Sequence, residues 1–233
     1  MFRQLIQRAL QQVPARCAVC RAWPSRVVCD ACVTRFAQPV PRCSTCALPV
    51  PPGVSRCGAC LTTPPPIDGC LAAVAYAWPW SHCVTQFKFG GQPGWAGALA
   101  TVMRSTPWVE PALDQAHRVL PMPLARERLA ERGFNQALLL ARTLAPGQTD
   151  ATVLLRTRHT PAQSALKRAE RLRNVQGAFA VEPLRARELR GQRVVLVDDV
   201  MTSGASLHAA ALTLRQAGVA HITAMVFART EQE

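Results

Sequence analysis

The chain has 233 residues, 49% of them hydrophobic, and a formal net charge of +13. This length allows one good core and a small second module, but it excludes two full-sized domains. No run of about 18 apolar residues is present, so we expect no membrane span.

The N-terminal stretch, MFRQLIQRALQQVPARC, has apolar residues at helical spacing that arginines interrupt. This pattern predicts a short amphipathic helix and not a secretory signal peptide. A mitochondrial presequence has a similar pattern, and the sequence leaves that alternative open.

Residues 1–66 hold eight of the ten cysteines, arranged in four CxxC pairs. Without an export signal, metal ligation by thiolates is favoured over disulfides, which predicts a cytoplasmic protein. Each CxxC turn directs two sulfurs to one point, and two such turns complete a tetrahedral site for structural zinc. We expect two zinc sites, with neighbouring pairs together, although a cross-braced pairing stays open. The predicted ligands are Cys17, Cys20, Cys29 and Cys32 in the first site, and Cys43, Cys46, Cys57 and Cys60 in the second.

Composition changes sharply after the stiff stretch TPPP at residues 63–66. The segment before it is proline-rich and has little apolar periodicity, so bound metal would supply much of its folding energy. We therefore predict a zinc-binding module over residues 1–66 and an α/β domain over residues 67–233.

The second part alternates strands and helices. Helical periodicity predicts a helix that ends near Arg104 and others over 134–145 and 206–218. Apolar runs predict strands at 68–78, 118–124, 193–199 and 221–229. Nearly continuous apolar strands between helices indicate a parallel sheet with right-handed crossovers.

The stretch VVLVDDVMTSGAS at residues 194–206 carries the most specific chemistry. Asp198 and Asp199 come at the carboxyl end of a predicted strand, where α/β sheets bind ligands. The residues that follow, Met201–Ser206, which we call the glycine loop, lead into a helix N-terminus that favours anions. Two carboxylates suit a diol or a divalent cation. A loop suited to a phosphate beside carboxylates suited to a diol matches ribose 5-phosphate, so the stretch predicts a site for such a ligand. Simple capping of the strand and helix is the alternative.

This stretch resembles the phosphoribosyl pyrophosphate (PRPP) motif of type I phosphoribosyltransferases. The resemblance implies that Asp198 and Asp199 contact the ribose hydroxyls, with Mg²⁺ bound alongside PRPP. It also implies that the 5-phosphate is held by the glycine loop, Met201, Thr202, Ser203, Gly204, Ala205 and Ser206.

The chain as a whole resembles the ComF family, phosphoribosyltransferase-like proteins with an N-terminal double zinc ribbon that are linked to DNA uptake in natural transformation. The resemblance rests on the CxxC-rich head, on LPMPLARERLAERGFNQA at 120–137, on RTRHTPAQSALKRAERLRNVQGAF at 156–179, and on QFKF around Lys88. It implies a type I phosphoribosyltransferase-like fold behind the zinc module.

Basic residues follow the second predicted strand and crowd the 156–173 stretch. The resemblance places a pyrophosphate loop near the first group, and a flexible loop that closes over PRPP in the second. The residues predicted for these roles are Arg126, Arg128, Arg132, Lys167, Arg168 and Arg171. A solvated amphipathic helix and contact with a nucleic-acid backbone are alternatives for the second group.

Two functions follow from these patterns. The first is a ComF-type competence protein with a PRPP site that supports the uptake or handling of transforming single-stranded DNA, together with proteins of the uptake machinery. The second is a phosphoribosyltransferase that acts on a nucleobase-like acceptor in nucleotide salvage. The sequence shows neither the acceptor site nor a general base, so catalysis stays open.

Overall fold

The computed structural model describes residues 15–158, 175 and 177–231. Compact packing divides the chain into two units between Gln38 and Pro39. The helix predicted at the N-terminus falls on residues 1–14, outside the described residues. No helix in the described part is long and apolar enough to cross a membrane.

The described helices are short and the strands are mostly buried. The helices are α1 (Asp30–Phe36), α2 (Gly58–Thr62), α3 (Trp80–Phe89), α4 (Trp95–Arg104), α5 (Val109–Asp114), α6 (Arg126–Arg132), α7 (Gln136–Leu144), a 3-10 helix (Pro183–Leu189) and α8 (Ala205–Gln216). The strands are β1 (Gly69–Ala75), β2 (Arg118–Pro121), β3 (Leu154–Arg156), β4 (Phe179–Val181), β5 (Arg193–Met201) and β6 (His221–Arg229).

Four strands form the main sheet in the order β1-β6-β5-β2, and every neighbouring pair is parallel. One row of residues crosses the whole sheet, Leu71, Met225, Val197 and Pro121. Because all four strands run the same way, their carboxyl ends meet at one edge. The predicted parallel sheet flanked by helices is confirmed.

Helices cover the sheet. Buried residues of α8, such as Leu207 and Leu214, share a core with Leu196 of β5. Helices α4 and α7 pack against each other and contact β6 and β5 respectively. The antiparallel pair β3–β4 contacts α8 and was not predicted from the sequence.

Observed boundaries differ from the predicted ones by a few residues. The last strand, His221–Arg229, is confirmed at both ends. The strand predicted over 193–199 continues to Met201, so Asp198 and Asp199 lie within β5 rather than at its last two positions. The continuation arises because β5 keeps pairing with β6 as far as Met201 and Arg229.

The second group of four cysteines belongs to the unit that contains the sheet, 39–233. Packing therefore joins residues 39–66 to the α/β part of the chain. Our boundary at residue 66 is drawn on composition, and as a division between folding domains it stays a proposal.

Candidate functional site

Two adjacent carboxylates lie near the carboxyl end of the central strand β5. Asp199 is 5% exposed, and its Oδ1 lies 3.0 Å from Nζ of Lys88, which comes from α3. Asp198 is half-buried, and its Oδ1 accepts a hydrogen bond of 2.9 Å from the backbone N–H of Asp199. The parallel sheet thus fixes one carboxylate in an ion pair and leaves its neighbour facing a cleft.

Burial raises the pKa of Asp198 to about 7, and the adjacent charge of Asp199 adds to the rise. Lys88 and Arg132 act in the opposite direction but do not offset it. A second positive charge, such as a divalent cation, would favour the ionised form of this carboxyl. The carboxylate pair therefore fits a metal-bound ligand.

The glycine loop connects β5 to α8. Gly204 has a φ of +78°, and a Cβ at this position would lie 2.5 Å from Cε of Met201 and 2.8 Å from Nε2 of His208. Both the left-handed backbone and the close packing therefore require glycine. Ser203 is buried, and its Oγ accepts from the N–H of Ala205 at 3.4 Å.

Helix α8 begins directly after the glycine, at Ala205, and has 12 residues. The first turn of a helix supplies N–H groups that have no acceptor inside the helix, together with the positive end of the helix dipole. The hydroxyl groups of Thr202 and Ser206 lie on the same cleft. This arrangement is suited to a phosphate group.

The opposite wall comes from the stretch Arg132–Gln136 between α6 and α7. Asn135 caps α7 by accepting from the N–H of Leu138 at 3.3 Å, and its Nδ2 donates to the carbonyl of Met122 at 3.0 Å. Phe134 packs on Phe87 of α3, with ring centroids 5.7 Å apart. These contacts fix the wall between the end of β2 and α3.

Two buried donors on this wall have no hydrogen-bond acceptor in the described part of the chain. Gln136 is 2% exposed, and its Oε1 accepts from Arg132 at 3.1 Å, while its Nε2 is unpaired. Nε of Arg132 is also buried and unpaired. Leaving buried donors unpaired costs about 1–3 kcal/mol each, so we expect a ligand oxygen to accept from them. The guanidinium of Arg132 also lies over the ring of Phe89, 4.9 Å from its centroid.

The cleft between these walls has a volume of about 260 Å³. It carries more cationic side chains than carboxylates, which suits an anionic ligand. Its charged lining residues are Lys88, Arg128, Arg132, Arg156, Asp198 and Asp199.

Six of the fourteen residues predicted for the PRPP site line this cleft, namely Asp198, Asp199, Thr202, Ser206, Arg128 and Arg132. The other members of the glycine loop, Met201, Ser203, Gly204 and Ala205, are buried beneath it. Arg126 is exposed at the start of α6 and is not among the lining residues. The predicted flexible-loop residues Lys167, Arg168 and Arg171 lie outside the described residues.

Ten of the residues that line the cleft were not among the predicted site residues, and Tyr76, Gln136 and Arg156 are three of them. Arg156 belongs to β3, and burial lowers its pKa, with Arg128 adding to the effect. Its guanidinium lies 5.4 Å from the ring centroid of Phe179. A strand of three residues carries too little periodicity to be read from the sequence.

The cysteines form two separate clusters, each built from neighbouring CxxC pairs. The sulfurs of Cys17, Cys20, Cys29 and Cys32 form the first cysteine cluster, all within 4.8 Å of one another. The sulfurs of Cys43, Cys46, Cys57 and Cys60 form the second cysteine cluster under the same limit. The sequential pairing that we preferred is the one that the geometry shows.

Sulfur spacing fits tetrahedral zinc. The distances are 3.8 Å between Cys17 and Cys32, and 3.6 Å between Cys20 and Cys29. Four sulfurs about 2.3 Å from zinc would be separated by about 3.8 Å, whereas a disulfide needs about 2.05 Å. Both clusters could therefore hold structural zinc, with all four ligand positions filled by protein.

Backbone donors prepare one thiolate in each cluster. Burial alone would raise the pKa of Cys43, but N–H groups of Cys57, Thr45 and Cys46 outweigh it and lower the pKa to about 6. The same balance lowers the pKa of Cys17 to about 6. Hydrogen bonds from backbone N–H groups favour the thiolate form that metal ligation requires.

Comparisons with known proteins agree with this geometry. A family model described as "Phosphoribosyl transferase domain" matches residues 137–233. The chain is 31% identical over 232 residues to DNA utilization protein YhgH of Escherichia coli strain K12, covering 94% of this chain and 98% of that protein. It is 30% identical over 227 residues to Competence protein F of Haemophilus influenzae, covering 92% and 96%. Competence protein ComFC of Bacillus subtilis is 33% identical over 137 residues, covering 59% and 54%.

Proposed function

This chain belongs to the ComF family of competence-related proteins, and we propose that its cleft binds PRPP together with Mg²⁺. One observation carries the proposal. The carboxylates of Asp198 and Asp199 share a cationic cleft with Thr202 and Ser206 of the glycine loop. Adjacent groups for a diol and for a phosphate match the two ends of a ribose 5-phosphate.

The proposed contacts follow from the position of each side chain. The ribose hydroxyls face Asp198 and Asp199, and the 5-phosphate lies against the glycine loop and the N-terminus of α8. The pyrophosphate is held by Arg128 and Arg132, which line the facing wall. Arg126, Lys167, Arg168 and Arg171 complete this anion-binding set in the proposal.

Mg²⁺ fits the donor set of the cleft. Oxygen ligands are what this ion prefers, and Asp198 and Asp199 supply them beside the proposed pyrophosphate position. When bound, the ion neutralises phosphate charge and fixes the geometry of the pyrophosphate. Of the two carboxylates, Asp198 is the better candidate ligand, because Asp199 already pairs with Lys88.

At the cellular level, we propose that the protein supports the handling of transforming single-stranded DNA. The relatives named for DNA utilization and competence support this role, as does the net charge of +13. Proteins of the DNA-uptake machinery are the proposed partners. Thiolate zinc sites favour a reducing compartment, so we place the protein in the cytoplasm.

A second candidate function is transfer of the phosphoribosyl group to a nucleobase-like acceptor. Tyr76 lines the cleft, so an aromatic ring is available to a planar base. In this reaction an acceptor nitrogen bonds to the anomeric carbon as the bond to pyrophosphate breaks. The nitrogen loses its proton, and the carbon inverts. The chain would contribute positioning and charge stabilisation.

The two functions are separated by two assays on the same preparation. A transferase releases pyrophosphate from PRPP when an acceptor is added, and Asp199→Asn abolishes the release. A DNA-handling protein binds single-stranded DNA with an affinity that falls steeply with salt, and Asp199→Asn leaves that affinity unchanged. Absence of both activities in the wild type would overturn both cellular roles.

A further inference from the structure

Arg229, the last residue of β6, is a buried arginine whose Nε and Nη1 atoms donate to backbone carbonyls. It is 2% exposed. Nη1 donates to the carbonyls of Met201 at 3.0 Å and Thr230 at 2.7 Å, and also to the carbonyl of Thr202. Nε donates to the carbonyl of Cys46 at 2.9 Å. One guanidinium thus joins the glycine loop to the second cysteine cluster.

We propose that Arg229 is a positioning residue that makes the shape of the glycine loop depend on metal at the second cysteine cluster. The inference rests on the proposed function, since it concerns the loop that would hold the 5-phosphate. It goes beyond that function by making one of the two structural metal sites a determinant of ligand binding.

Further contacts bring the same CxxC turn against the base of the loop. The carbonyl of Ser44 accepts from the N–H of Cys70 on β1 at 2.8 Å. The thiol of Cys70 lies 3.6 Å from Sδ of Met201, the first residue of the loop. Ala47 is fully buried in the same hydrophobic core as Met201. The turn over residues 43–46 therefore supports the loop through packing as well as through Arg229.

Metal would join this turn to the second turn of the cluster. Backbone hydrogen bonds shape the turn itself, because the N–H of Cys43 donates to the carbonyl of Leu48 at 2.7 Å and the N–H of Ala47 donates to the carbonyl of Cys43 at 2.9 Å. One ion bound by four thiolates would tie residues 43–46 to residues 57–60 and so hold the Cys46 carbonyl more closely in place. A zinc ion with four thiolates also carries a formal charge of −2, which stabilises the buried guanidinium next to it. Loss of the metal would remove the compensating charge and loosen the turn that carries the Cys46 carbonyl.

The first cysteine cluster offers a matched control within the same chain. Cys29 and Cys57 are equivalent ligands, since each is partly exposed and each donates its N–H to a cysteine sulfur at 3.4 Å. Arg229 donates to the second cluster through the carbonyl of Cys46. Replacing each of these two cysteines by serine therefore disturbs similar sites, and Arg229 joins the second of them to the loop.

The test measures amide hydrogen exchange of residues 202–206 in the full-length, zinc-loaded protein, and its affinity for ribose 5-phosphate. We expect Cys57→Ser and Arg229→Gln each to speed exchange at least tenfold and to weaken binding at least tenfold. We expect Cys29→Ser to stay within twofold of the wild type in both. Arg229→Gln should still bind two zinc ions per chain. That result would show that the arginine transmits the effect of the metal to the loop and is not needed for metal binding.

Three outcomes would overturn the proposal: unchanged loop exchange in Arg229→Gln, equal effects of the two cysteine variants, or loss of zinc from Arg229→Gln. If Arg229→Gln does not fold, zinc is released stepwise from the wild type with a thiol reagent. Exchange at 202–206 should then rise before exchange in α7, and a simultaneous rise would contradict the proposal. If the wild type does not bind ribose 5-phosphate, the proposed function fails, while loop exchange still decides the role of Arg229.

Discussion

Replacing Gly204 by alanine tests the shape of the glycine loop with a single methyl group. An alanine at a φ of +78° costs about 1–2 kcal/mol in backbone energy. The new Cβ would also lie 2.5 Å from Cε of Met201 and 2.8 Å from Nε2 of His208, so both side chains must move. Overpacking of this kind adds about 1–3 kcal/mol, with the lower half expected because the methionine is flexible. We predict that Gly204→Ala destabilises the fold by about 2–4 kcal/mol.

Gly191→Ala separates the two contributions. Gly191 has a φ of +73°, close to that of Gly204, but nothing lies within 4 Å of an added Cβ. This control should cost only the backbone contribution of about 1–2 kcal/mol and leave ligand binding intact. Urea unfolding gives the two free energies, and calorimetry should show PRPP binding weakened at least tenfold only in Gly204→Ala. Equal losses of stability, or equal affinities, would refute the packing argument.

Three further predictions concern the walls of the cleft. Because the pKa of Asp198 is raised to about 7 and that of an unfolded aspartate is about 3.9, the folded carboxyl binds its proton more tightly. The stability that this group contributes is present below about pH 4 and is lost as the pH rises through 7. The urea midpoint of Asp198→Asn should therefore increase relative to that of the wild type between pH 5 and pH 8. Gln136→Met removes both the unpaired amide N–H groups and the hydrogen bond that the amide oxygen accepts. The free energy of unfolding should therefore change by less than about 1 kcal/mol, while the Kd for PRPP rises about tenfold. An unchanged Kd would mean that no ligand atom contacts this amide. Lys88→Met leaves the buried carboxylate of Asp199 without its ion-pair partner. It should lower the free energy of chemical unfolding by about 3 kcal/mol. The double variant with Asp199→Asn should recover most of that loss, and equal stability of single and double variants would contradict the ion pair.

Local patterns predicted the features whose physics is local. The cysteine spacing predicts both four-cysteine groups because each CxxC turn is closed within a few residues. The run of aliphatic residues before Asp198 predicts β5. Continuation of β5 to Met201 could not be predicted, because it depends on pairing with β6.

Contacts between segments that are distant along the chain could not be predicted from the sequence. The pairing of Lys88 with Asp199 joins α3 to β5, and no spacing rule connects them. The unpaired amide of Gln136 looks like any polar residue at the start of a helix until its burial is known. Arg229 reads as a strand terminus, yet it holds three segments of the fold together.

The central claim is that Asp198, Asp199 and the glycine loop form a site for PRPP. The most direct test is a calorimetric titration of the purified, zinc-loaded protein with PRPP and Mg²⁺, beside a Ser203→Ala/Gly204→Val variant. We predict micromolar binding by the wild type and none by the variant. No binding by the wild type, or equal binding by both proteins, would contradict the claim.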